Sequence, residues 1–121
     1  MDFHKTSDQD LLARLEKLAR TERKLTHMIL CHIHEAESRR LYAELGYGSM
    51  LAYLIQHLSY SESAAYRRLQ AARLLKQTPS VAVKIESGAL NLSQLSQMQK
   101  CLKEECKKQE KVFLKSARKK F

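Results

Sequence analysis

The chain has 121 residues, 44% hydrophobic and 29% charged, which gives room for one domain with one modest core and excludes both a multi-domain enzyme and a disordered tail. With three glycines, one proline and no tryptophan there are few helix breakers, so residues 1–121 are expected to form a single all-α domain. It should be a bundle of about five helices, the first and last the longest. The formal charge of +9 points to a polyanionic partner.

The first helix is predicted to start at Ser7, whose hydroxyl can cap the backbone while Asp10 closes a capping box. From there Leu11, Leu15, Leu18, Glu22, Leu25, Ile29, His32 and Ala36 recur at steps of four and three, a heptad-like seam. Met28, Leu30, Ile33 and Leu41 add apolar residues on other faces, as in a helix surrounded by neighbours. Residues 7–45 therefore read as a scaffold ending before Gly46. They form one helix, or a pair if Thr21 caps a second one.

After the GYGS break, Ser49 can cap a short helix through Leu58 with Leu51, Leu54, Ile55 and Leu58 inward. The turn Ser59-Tyr60-Ser61 follows, and Ser61 caps a helix to about Lys76, so that residues 49–76 read as a helix-turn-helix. Pro79 forbids continuation, because it lacks an N–H and disfavours a helical residue before it. A short helix over 79–88 ends on Gly88. The last helix, 93–119, begins near Ser93 and carries Leu95, Met98, Leu102, Cys106 and Phe113 on one side. It is also the most basic part of the chain: residues 91–121 hold nine Lys and Arg against three Asp and Glu, whereas residues 1–45 are balanced. A Lys-rich end is equally the pattern of a solvated helix face.

The helix after the turn holds the groups suited to nucleic acid. At 100° per residue Ala65, Leu69 and Ala72 share a stripe that should face the core, which places Ser63, Tyr66, Arg67 and Gln70 opposite, toward a groove. Arg donates bidentately to guanine, Gln pairs with adenine, and Tyr and Ser hold phosphates. Ala64 and Ala65 permit a close helix crossing. Arg68, Arg73 and Lys76 flank this face and suit backbone phosphates. Surface Arg and Gln are also good helix formers that require no ligand.

The run RRLYAELGYGSMLAYLIQHLSYSESAAYRRLQAARLLKQTPSVAVKIESGALNLSQLSQ resembles the helical region of unknown function found upstream of the HNH nuclease domain in many bacterial HNH endonuclease-like proteins. The likeness covers roughly residues 11–105 and is densest from Leu45 to Leu95. The turn, the helix and the ESGALNLSQ segment are more loosely similar to the helix-turn-helix of ParB-type chromosome-partition proteins. That likeness implies DNA reading by Glu62 through Leu75. The chain departs from the HNH pattern in lacking the nuclease's own histidines: His4, His27, His32, His34 and His57 all lie in or before the second helical segment. The resemblance therefore implies a non-catalytic DNA-recognition part, either a stand-alone relative or a portion of a longer nuclease.

Other chemistry is thinly represented. His27, Cys31 and Glu35 recur at i, i+4 and i+8 with His34 beside them, but one straight helix usually supplies only two adjacent ligands to zinc, so no metal is expected. Cys31, Cys101 and Cys106 are odd in number and lack short paired spacing, which argues against a disulfide framework. No catalytic triad, phosphate loop or carboxylate pair stands out, so neither enzymatic activity, a cofactor nor a small-molecule substrate is expected. The polar start MDFHKTSDQD and the lack of ~20 consecutive apolar residues argue against export and membrane insertion, leaving the cytoplasm. The partner expected first is double-stranded DNA, with a homodimer possible. The alternative is a helical interaction module that pairs through its seams without touching DNA.

Overall fold

The computed structural model describes residues 3–104, and the regular structure there is entirely helical. Its helices are α1 (Asp8–Ser38), α2 (Leu41–Glu44), α3 (Met50–Gln56), α4 (Glu62–Gln77), α5 (Val81–Ser87) and α6 (92–104). Residues 105–119 of the predicted last helix, with Cys106 and Phe113, lie outside the described residues.

Local chemistry sets most of the boundaries. The Ser7, Ser49 and Ser61 hydroxyls accept from the backbone N–H of Asp10, Ala52 and Ala64 at 3.2, 3.0 and 3.2 Å, capping α1, α3 and α4. Gly88 closes α5 in the left-handed region with φ +82°. Three boundaries differ from the sequence reading. Thr21 does not split α1, because its hydroxyl donates to the Lys17 carbonyl at 2.9 Å and stays inside the helix. The break comes instead at Arg40, whose φ of 55° separates α1 from the single turn α2. Helix α6 is capped by Asn91 rather than Ser93: the Asn91 side chain accepts from the Gln94 N–H and the Gln94 side chain from the Asn91 N–H, both at 2.9 Å.

Helix α4 is the hub. It packs on α1 and α3, and it buries Ala65, Leu69, Ala71, Ala72 and Leu74. Leu30 and Ile33 of α1, Met50 and Leu54 of α3, Val81 and Ile85 of α5 and Leu95 of α6 complete the core. Each fully buried leucine contributes about 1.5–3 kcal/mol, and the alanines of α4 admit neighbours close to its backbone. Polar clasps tie α1 to the elements across it. Arg73 donates from Nε and Nη2 to the Glu37 carboxylate at 3.1 and 2.9 Å, Arg23 Nε donates to the Glu86 carbonyl at 3.1 Å, and the His27 ring lies 2.9 Å from the Glu86 carboxylate.

One residue predicted to face inward and parts of two apolar stripes lie at the surface. Along the α1 seam Leu11, Leu15, Leu18, Leu25 and Ile29 are exposed and only Ala36 packs against the core, which α1 meets instead through Leu30 and Ile33. Leu58 lies beyond the end of α3 and is exposed. On α6 the buried side is Leu95, Ser96 and Gln99, while Met98 and Leu102 remain about two-fifths exposed.

Candidate nucleic-acid interface

Helix α3, residues 57–61 and helix α4 form a continuous unit. Ser59 adopts φ 63°, the Tyr60 N–H donates to the Leu54 carbonyl at 3.1 Å, and Ser61 starts α4 at once. This sharp reversal brings the first turns of α4 to the surface. Glu62 and Ser63 are exposed, Tyr66 is 44% exposed, and the three lie together beside Leu51 of α3.

Arg67 is half-buried on the neighbouring flank and makes no hydrogen bond or ion pair with a described residue. It lines an open cleft of about 530 Å³ between α1, α4 and the segment from Gly88 to Ser93. Arg23 and Arg68 share that lining, with Glu22 its one carboxylate. Arg23 escaped the sequence reading. It lies far from the turn in sequence, and nothing in the periodicity of α1 marks it, although its helical position on the side flanking the seam would carry it toward the bundle.

Gln70, Arg73 and Arg68 are placed differently from expectation. Gln70 is not on a groove-facing surface: it is 5% exposed, within the hub. A stripe opposite Ala65 and Leu69 is open only while α4 has neighbours on one side, and from Leu69 onward they close around it, so that Leu74, one turn beyond Gln70, is buried as well. Arg73 is not poised for phosphate either, because its two donors are taken up by Glu37, and that hydrogen-bonded pair raises the arginine's pKa despite partial burial. Arg68 is half-buried, donating to the Ala64 carbonyl at 3.1 Å with its guanidinium 4.6 Å from the centre of the Tyr60 ring, a cation–π contact that stiffens the turn. Lys76 is exposed at the far end of α4, about 15 Å along the helix from Tyr66. Of the seven residues, Ser63 and Tyr66 stand together, Arg67 adjoins them, and Lys76 stands apart.

The histidine and cysteine positions of α1 diverge. His27 meets Glu86, the His32 ring bonds the Met28 carbonyl at 2.6 Å, Glu35 pairs with Arg39 at 2.8 Å and Cys31 is exposed. Among the described residues no group of three or more His, Cys, Asp or Glu is placed to hold a metal ion, and no helix is long and apolar enough to cross a membrane. No known family model, curated protein or solved structure matches the chain.

Proposed function

We propose that the chain is a non-catalytic DNA-binding helical domain that meets duplex DNA with the N-terminal end of α4. The observation that carries this reading is the polarity of α4. Its middle, from Leu69 to Leu74, is locked in the core, whereas Ser63, Tyr66 and Arg67, which has no polar partner among the described residues, sit at its leading end, directly after a short helix and a sharp turn. A recognition helix uses its N-terminal residues on base edges while the preceding helix crosses the backbone. Arg67 is the base-reading group, Ser63 and Tyr66 orient the helix on phosphates, and Arg23 adds positive charge beside them. Lys76 and the basic residues after position 90 supply general attraction. The resemblance of its sequence to the region preceding HNH nuclease domains supports reading it as the recognition part, or a stand-alone relative, of such a nuclease, acting in the bacterial cytoplasm without metal or cofactor.

The test is fluorescence anisotropy with duplexes enriched from a random pool. Arg67→Ala should weaken the preferred duplex by ~1–3 kcal/mol and relax the choice of base at one position. Wild-type affinity and selectivity in Arg67→Ala, or no binding by the parent chain at low salt, would remove the assignment. An interaction module is the second reading, favoured by the exposed leucines of α1.

A further inference from the structure

The seam of α1 has two halves with opposite surroundings. Residues 8–18 are exposed at every position, so α1 begins as an arm on which Leu11, Leu12, Leu15 and Leu18 are 39–66% exposed. Farther along, Leu25, Ile29, His32 and Ala36 of the same seam form one side of an apolar groove of about 400 Å³, with Met50, Tyr53, Leu58 and Tyr60 on the other. Among the described residues one half is a ridge without a groove, and the other is a groove without a ridge.

We propose that two copies of the chain satisfy each other: their α1 helices pair antiparallel about a two-fold axis between residues 23 and 24, and the arm of each copy lies in the groove of the other. The spacing fits at shifts of seven residues, and one register matches the whole seam. Leu11 then faces Ala36 of the second copy, Leu15 faces His32, Leu18 faces Ile29 and Glu22 faces Leu25, over a contact about 37 Å long. Leu12, beside the arm's seam, is directed toward the groove floor at Ile33.

Charge at the arm's tip favours this direction. In the antiparallel register Asp8 faces Arg39 of the second copy, Arg14 comes within a turn of Glu35 and the helix dipoles oppose, which offsets Asp10 facing Glu37 and Arg23 facing Lys24 at the axis. A parallel pair would instead set Asp8 against Asp8, Glu22 against Glu22 in the seam, and groove against groove. A foreign helix could fill the groove, but the arm would still lack cover. A second copy supplies both in a single closed, isologous contact, and the inference holds whether or not the chain binds DNA.

Two experiments test it without DNA. Sedimentation equilibrium of the full chain at rising concentration should give a dimer. The double substitution Leu15→Asp with Leu18→Asp should halve the mass and leave the far-UV circular dichroism unchanged, because both side chains are exposed in the single chain. In a background of Cys31→Ser, Cys101→Ser and Cys106→Ser, a Leu15→Cys chain is mixed with a His32→Cys chain under mild oxidation. The disulfide should join one of each. A chain that stays monomeric at all concentrations, a dimer indifferent to the arm substitutions, or disulfides joining like with like would each overturn the proposal.

Discussion

Arg67 and Gln70 are three residues apart on one helix, and helical geometry gives them nearly the same direction, yet one reaches an open cleft and the other is enclosed. Direction from the axis is a local property, whereas enclosure depends on what the rest of the chain brings across. The serine caps at positions 7, 49 and 61 were legible for the same reason that Gln70 was not. A cap needs only the next three residues, but the partner that occupies Arg73 is Glu37, on a different helix. Leu69→Ala should cost roughly 2–5 kcal/mol in denaturant unfolding, since it empties a nearly sealed site in the hub. Arg67→Ala should leave the unfolding free energy within about 0.5 kcal/mol of the parent, so the two substitutions separate folding from recognition.

At the level of the element, periodicity identified the residues that share a stripe of α1 and left open what lies against it. A heptad seam is the same pattern whether its partner is in the same chain or another. Five apolar residues of that seam are exposed, and the proposed dimer is the second possibility. Turns were read more securely where a single residue type dictates the backbone. Gly88, at φ +82°, ends α5, and a Cβ there would stand 3.3 Å from the Arg23 side chain. Gly88→Ala should therefore destabilise the fold by about 1–2 kcal/mol in a chemical melt, and disturb the Arg23 contact with Glu86 that ties α5 to α1. The last helix has its apolar stripe buried at Leu95 and part-exposed at Met98 and Leu102. Its buried positions include Ser96 and Gln99, and polar residues inside a core carry no hydrophobic signal.

For the molecule as a whole, the excess of 22 basic over 13 acidic residues makes salt the discriminating variable. If DNA attraction comes from phosphate contacts, Lys76→Ala should weaken all duplexes alike and reduce the slope of log affinity against log salt by about one. Lys115, outside the described residues, should act in the same way. An unchanged slope in both variants would place the contacts elsewhere. A two-fold dimer adds a symmetry requirement: duplexes selected from a random pool should be inverted repeats, because two α4 ends related by a dyad read two half-sites. Selection of unrepeated sites would separate recognition from dimerisation.

The bare arm of α1 also implies a gradient of kinetic protection along a single helix. Amides between residues 11 and 18 are held only by their own helical turns, whereas those around Leu30 and Ile33 lie against side chains almost entirely sealed from solvent. Deuterium should enter the first group through fraying at little free-energy cost, and the second only through opening of the whole domain. With rising protein concentration, slowed exchange should appear first in the arm and in the wall residues Tyr53 and Tyr60, so the helix would report association at its free end while its anchored end reports folding.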